Sequence, residues 1–281
     1  MARNLNPSFV TASDVAEPVK VFDREQNNRV LKSSAVLRSL NILREVTLAA
    51  KPVTARDLAS KLNLSHPTVH RLAVQLEGFG YLQREPGSKR FIGGRELQGL
   101  ALEALINSST RGERHAILKA LVDQVEETCN VTILNGNEVA YIDRVESHWP
   151  LRTHLQAGSR VPIHCGASGK VFLSFMSSNK RTRLLTAAPL RRCTERTVID
   201  PKRILAELKK IRASKVGLDN QEFMPGLIGI AVPVFDSRGR VCATVSMHAP
   251  TVRWTLDGVL KTAPLLTSAA ARIARTLDPS I

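Results

Sequence analysis

The stretch TARDLASKLNLSHPTVHR, residues 54–71, decides how the chain is read. Its apolar spacing writes two short amphipathic helices with only a few residues between them. Thr54 is placed to cap the first by accepting a hydrogen bond from a free backbone N–H. Leu58, Ala59 and Leu62 then share one face. Asn63 sits where the chain must turn and tolerates left-handed backbone better than most residues; Leu64 packs into the corner. Ser65 is placed to cap the second helix, Pro67 is accepted in its first turn, and Val69, Leu72 and Leu76 supply its buried stripe. Small Ala59 lets the two helices cross closely. This is the helix-turn-helix pattern, whose second helix enters the major groove of DNA.

The same spacing also fits a helical hairpin inside a larger core, and two neighbours favour DNA. The outward face of the second helix carries Ser65, His66, Thr68, His70, Arg71 and Gln75, all able to hydrogen-bond bases or phosphates. Residues 81–84 and 89–92 then read as short strands around EPGS (85–88), with Pro86 and Gly87 at the two central positions of a type II turn. That is a wing, with Arg84, Lys89 and Arg90 near its tip. These three and Arg56 are the expected phosphate contacts; His66, Thr68, His70 and Arg71 are the expected base readers.

The charge agrees. The 281 residues carry a formal net charge of +15, and residues 33–95 hold 10 Lys and Arg against 4 Asp and Glu. Residues 96–281 hold 25 against 17, so positive charge is densest around the helix-turn-helix, as a polyanion-binding surface requires. Cys129, Cys165, Cys193 and Cys242 are far apart in sequence with no Cys-x-x-Cys pair, so no structural metal and no disulfide framework is expected. No cofactor is implied. No run reaches the ~18 apolar residues of a membrane span, and the first residues lack a signal-peptide pattern. A soluble, cytoplasmic protein is predicted.

Along the chain, residues 1–32 mix Asn, Pro, Ser and charges without periodicity, which predicts a disordered lead-in. Residues 33–95 are the winged helix-turn-helix domain, opened by a helix whose Val36, Leu37, Leu40, Leu43 and Val46 would cover its core. Residues 96–112 form a linker helix; its Leu97, Leu100, Ala101, Ala104 and Leu105 would pack on their own domain or pair with a second copy. Residues 113–281 alternate helices and antiparallel strands: a helix over 116–128, strands over 131–134 and 138–145 about an Asn-Gly turn, and strands over 151–155 and 161–164. A helix from Gly166, a helix over 200–213 ended by Gly217, a hairpin over 230–248 and a closing helix over 255–276, disturbed at Pro264, complete an α+β domain of sensor type.

With the elements in this order, the chain resembles the IclR family of bacterial transcriptional regulators over roughly residues 33–277. The resemblance rests on LRSLNIL (37–43), LSHPTVHRL (64–72) and LEGFGYL (76–82), then PIHCGASGK (162–170), GLDNQE (217–222) and IAVPVFD (230–236). It implies a homodimer, or a dimer of dimers, on a palindromic operator, with a GAF-like C-terminal domain that binds a small effector, commonly an organic acid. The family's effector contacts fall here on Ala167, Ser168, Gly169, Asp219, Gly229, Ser246 and His248. One departure is Gly93, where the family has Leu after the wing, which would loosen the linker. Another is Gly229 with His248, where a well-studied member has Cys and Ser. A missing side chain would open space and an imidazole adds a donor, so an aromatic or larger carboxylate is expected.

The residues agree in part. Ser168 and its neighbouring N–H groups would face an anion at a helix N-terminus. Ser246 and His248, two apart on a strand, share a face. Alternatives stay open: His248 as a satisfied core histidine, and Asp219 as a turn-capping carboxylate. GASGK (166–170) lacks the glycine spacing and the Ser or Thr of a phosphate loop. His164-Cys165 would point to opposite faces if they lie in a strand, so catalysis is not expected. Lys180, Arg181, Arg183, Arg191, Arg192 and Arg196 form a second nucleic-acid contact, an anion-facing subunit surface or a solvated face, the last being favoured. Two further classes remain: a constitutive DNA-binding protein whose second domain only oligomerises, and an enzyme with an appended DNA-binding domain.

Overall fold

The structure, a computed structural model, describes residues 34–49, 51–150, 160–278 and 280–281. The lead-in read over 1–32 and the strand expected over 151–155 lie outside the described residues. The chain divides into two compact units between Leu97 and Gln98.

In the first unit the helices are α1 (Ala35–Leu48), α2 (Ala55–Leu62) and α3 (His66–Gly78), followed by β1 (Leu82–Arg84) and β2 (Phe91–Gly93). Thr54 and Asp57 form a reciprocal capping box at the start of α2. Asn63 ends that helix at φ 51° and ψ 46°, in the left-handed region that the sharp turn demands. Ser65 is the N-cap residue of α3, but its hydroxyl lies 2.8 Å from that of Thr68 instead of capping a backbone N–H. In the wing, Gly87 has φ +71° and Ser88 N–H donates to the Glu85 carbonyl, as a type II turn needs.

The core of this unit joins Ile42 and Val46 of α1 to Leu58, Val69, Leu72, Leu82 and Phe91. Part of the expected α1 stripe faces elsewhere: Val36 and Leu40 are 67% and 54% exposed. At about 100° per residue, this pair lies roughly 120° around the helix from Ile42 and Val46. Gly93 is held in the wing, paired opposite Leu82, and a helix begins two residues later. Gly94 is the tight position: a Cβ there would stand 2.1 Å from the Gly80 carbonyl oxygen.

That next helix, α4 (Arg95–Ile106), contains the division between the units and buries none of its residues fully. Leu102, Leu105 and Ile106 pack against the core of the second unit, while Leu100 stays exposed.

The second unit continues with α5 (Arg111–Val125), β3 (Thr128–Asn135), β4 (Glu138–Val145), β5 (Arg160–Pro162), α6 (Ala167–Phe175), α7 (Ser178–Thr186) and α8 (Pro201–Ser214). It closes with β6 (Gly217–Asn220), β7 (Leu227–Phe235), β8 (Val241–Pro250), α9 (Leu256–Lys261) and α10 (Ala263–Leu277). The six strands form one antiparallel sheet in the order β5-β4-β3-β8-β7-β6. One face, through Val131, Ile142, Ile230, Val245 and Met247, packs on α5 and α10. The other packs on α6 and α8 through Tyr141 and Ala231.

Several boundaries move for local reasons. Glu126, left-handed at φ 56°, stops α5, and Thr128 starts the strand instead of ending the helix. Lys215, at φ 59°, terminates α8, not Gly217. Gly217 opens β6, where a Cβ would stand 2.6 Å from the Ala167 carbonyl oxygen. His164 and Cys165 lie in a turn after β5, not in a strand. At the β3–β4 hairpin only Gly136 of the two turn residues takes a positive φ. Pro264 falls in the first turn of α10 and separates it from α9.

A buried ion pair joins the end of α4 to the sheet. Arg114, fully buried on α5, approaches Asp143 of β4 at 3.4 Å and donates to the Leu105 carbonyl at 3.1 Å. Burial pulls its guanidinium below the ordinary range and Asp143 opposes that pull.

Candidate functional site

In the first unit, His66, His70, Arg71 and Gln75 are exposed on one side of α3, and Thr68 is half-buried beside Ser65. The His66 and His70 rings stack with centroids 6.0 Å apart. Arg56, Lys89 and Arg90 are exposed, and Arg90 also reaches the Pro52 carbonyl. Arg84 differs from the expectation of a free phosphate contact. Its Nε donates to both Glu77 carboxylate oxygens, an Nη donates to the Lys89 carbonyl, and its guanidinium lies 4.6 Å from the Phe91 ring centroid. Arg84 therefore braces the wing against α3.

In the second unit, strand register gathers most of the expected effector residues. Asp219, Gly229 and His248 are direct neighbours across β6, β7 and β8. Ser246, two residues before His248, lies between Ala231 and Asn130. The first turn of α6, with buried Ala167 and Ser168, packs against β6 through Gly217. Gly169 has a packing role: a Cβ there would stand 2.1 Å from the Ile163 carbonyl oxygen.

The polar atoms of this inner face are not all satisfied. Ser246 Oγ and Asp219 Oδ2 are buried with no hydrogen-bond partner, each costing about 1–3 kcal/mol. The other Asp219 oxygen accepts from the Glu222 N–H at 2.7 Å. Burial pushes the Asp219 carboxyl up to about 7, against the pull of that N–H and of Lys170. Burial, reinforced by the charge of Arg144, pushes His248 down to about 4. The imidazole stands over Gly229, where a Cβ would come 3.1 Å from Cδ2. The space expected from the glycine is thus filled by the histidine, and Gly229 gives no argument for a larger ligand.

Asn130, Tyr141 and Arg144 belong to this face and were missed. Asn130 Nδ2 lies 3.0 Å from His248 Nδ1, Arg144 Nη1 donates to Asn130 Oδ1 at 2.9 Å, and the Tyr141 ring is 6.5 Å from that of His248. The available signal was the alternation of Thr128, Asn130 and Thr132 with apolar Cys129, Val131 and Ile133, visible only if the strand begins at Thr128.

The ammonium of Lys170 is enclosed by Glu207, Glu222 and the Leu218 carbonyl, so it neutralises carboxylates and does not face an incoming phosphate. His164 Nε2 is 2.9 Å from the Arg191 carbonyl oxygen, and burial pushes the Cys165 thiol up, which makes it a poor nucleophile. Cys165 and Cys193, distant in sequence, come within 3.8 Å at sulfur. Of the basic run, Lys180, Arg183, Arg191, Arg192 and Arg196 are exposed. No group of metal-ligating side chains forms among the described residues, and no helix there is long and apolar enough to cross a membrane.

Two family models match these units. Residues 35–86 match the IclR helix-turn-helix domain, and residues 103–275 match the C-terminal domain described as bacterial transcriptional regulator IclR. The chain belongs to the IclR family. It is 39% identical over 244 residues to the probable transcriptional regulator SauR of Cupriavidus necator, covering 87% of this chain and 97% of the relative. The Thermotoga maritima IclR structure is 27% identical with a TM-score of 0.58, covering 86% of this chain and 98% of that one. An IclR homologue from Microbacterium hydrocarbonoxydans, crystallised with 4-hydroxybenzoate, is 25% identical with a TM-score of 0.55, covering 87% and 99%. The chain is thus an IclR-family transcriptional regulator with a DNA-binding helix-turn-helix and an effector-binding α+β domain.

Proposed function

We propose that this regulator binds a palindromic duplex operator as a homodimer, or a dimer of dimers, and responds to a small organic acid held on the inner face of its second unit. The observation that carries the effector reading is the pair of unsatisfied buried oxygens, Ser246 Oγ and Asp219 Oδ2, sharing a sheet face with His248. Buried polar atoms without partners are rare in folded proteins, and a bound acid supplies the missing bonds. An Asp219 carboxyl that holds its proton to about pH 7 suits an anion, because it donates to a carboxylate instead of repelling it. The aromatic acid found in one relative makes 4-hydroxybenzoate the first compound to try. On the DNA side, Arg71, His70 and His66 are the base-reading candidates, with Arg56, Lys89 and Arg90 on phosphates. Exposed Val36, Leu40 and Leu100 offer apolar surface for pairing with a second copy.

The test is titration calorimetry with 4-hydroxybenzoate, benzoate and acetate, beside mobility-shift assays on the DNA upstream of the protein's own gene. At least one acid is expected to bind and to change operator affinity. His248→Ala and Ser246→Ala should each weaken binding at least tenfold. Wild-type affinity in both variants would remove the pocket, and operator affinity indifferent to every acid that binds would leave a DNA-binding oligomer without a sensor.

A further inference from the structure

Among the described residues, the inner sheet face contains a directed chain of hydrogen bonds running from Arg144 through Asn130 to His248. Its direction follows from the chemistry of the groups. A guanidinium has only donors, so the Asn130 atom 2.9 Å from Arg144 Nη1 must be the amide oxygen. A flipped amide would set N–H against N–H. With the oxygen committed to Arg144, the Asn130 amide nitrogen, a donor only, faces His248 Nδ1 at 3.0 Å. That ring nitrogen must therefore accept and carries no proton. The proton of a neutral imidazole then resides on Nε2.

We propose that Asn130 and Arg144 are positioning residues that lock His248 as its Nε2–H tautomer, so that the effector site presents a fixed donor to a carboxylate or carbonyl oxygen of the ligand. The geometry around the ring supports this. His248 is fully paired on its Nδ1 side, while Nε2 has no hydrogen-bond partner among the described residues. Gly229 leaves room for the ring to stand where it does, since a Cβ would crowd Cδ2 at 3.1 Å. Asn130 lies opposite both Arg144 and Ser246 in the strand register, so the side chain that orients the imidazole also borders the unsatisfied serine hydroxyl. An imidazolium would set an N–H at Nδ1 against the Asn130 amide, so the relay excludes the charged ring as well as the other tautomer. The site then recognises an acceptor by direction and not by a mobile charge, which is how buried donors discriminate among ligands.

This inference rests on reading the inner face as the effector site, and the experiment separates the two. Nitrogen–proton correlation spectra of the full chain labelled with ¹⁵N-histidine, recorded without any acid, should show His248 neutral with Nε2 protonated; its signals are identified by their loss in His248→Gln. In Asn130→Asp the carboxylate can only accept, so Nδ1 should become protonated. Titration of 4-hydroxybenzoate should show His248→Gln, whose amide offers a donor in the same region, within about fivefold of wild type. His248→Leu should lose at least tenfold. A wild-type spectrum with Nδ1 protonated overturns the relay whether or not Asn130→Asp folds. An unchanged tautomer in folded Asn130→Asp overturns it too, as does equal binding by the Gln and Leu variants. If no acid binds but Nε2 is protonated and shifts to Nδ1 in Asn130→Asp, the relay stands and the effector reading fails.

Discussion

Replacing Asp219 by Asn and, separately, His248 by Gln is expected to tilt the pH dependence of stability in opposite directions. Asp219 ionises at about 7 in the fold against 3.8 ordinarily, so between those values the folded chain holds a proton that the unfolded chain has lost. Stability from this group is greatest at the acid end and falls as pH rises toward 7. His248 ionises at about 4 in the fold against 6.5 ordinarily, so there the unfolded chain holds the extra proton. Stability from the histidine is complete above about 6.5 and is lost as pH falls toward 4. At about 1.4 kcal/mol per pH unit, the two contributions amount to about 4 and about 3 kcal/mol, of opposite sign in nearly the same window. In the parent chain they largely cancel. Urea unfolding at several pH values from about 4 to about 8, followed by the fluorescence of Trp149 and Trp254, reads the second unit, which contains both tryptophans of the chain. The stability of Asp219→Asn relative to wild type should rise by a few kcal/mol across that range, and that of His248→Gln should fall by a similar amount. Differences that stay level with pH, or that slope the same way, would refute the assignment of these two protonation states.

Asp143→Asn leaves the Arg114 guanidinium buried and unbalanced and should cost about 3–5 kcal/mol, whereas Arg114→Met with Asp143→Leu should recover much of it in a double-mutant cycle. Gly169→Ala drives a Cβ to 2.1 Å from a backbone oxygen and should abolish a normal thermal melt. Gly229→Ala meets only an imidazole edge at 3.1 Å and should cost less than about 1.5 kcal/mol in the same melt. Arg71→Ala should weaken operator binding by about 1–3 kcal/mol in anisotropy titrations. Arg84→Ala should leave the salt dependence of that binding nearly unchanged, because its guanidinium is engaged by Glu77, Lys89 and Phe91.

The first unit was legible because its rules are local. Asn63 had to be left-handed for two helices to meet at that angle, and Gly87 had to take a positive φ for the wing to close; both lie within a few residues of the elements they join. The second unit was legible in element order but less so in its faces. Asn130 and His248 are 118 positions apart, and only the strand register makes them partners. Thr128, Asn130 and Thr132 look solvated when read alone, and their burial depends on α6 and α8 covering that side. The helix Ser178–Thr186 was hidden by its charges, which mask the one side chain it buries, Leu185. Gly229 misled for the converse reason. An absent side chain is empty space only until the opposite strand is known.

Asp143 and Arg144 are adjacent in β4, so the pleat sends them to opposite sides of the sheet. Arg144 works among the polar side chains that face α6, while Asp143 balances the arginine whose other nitrogen grips the last turn of α4. One peptide unit thus separates the inner face from the helix that leads out toward the first unit. A one-residue deletion just before this pair would move Arg144 into the place of Asp143, setting a second cation beside Arg114, and would bring Val145 opposite Asn130. The register of a single strand is therefore under a double constraint, from a side chain on each of its surfaces.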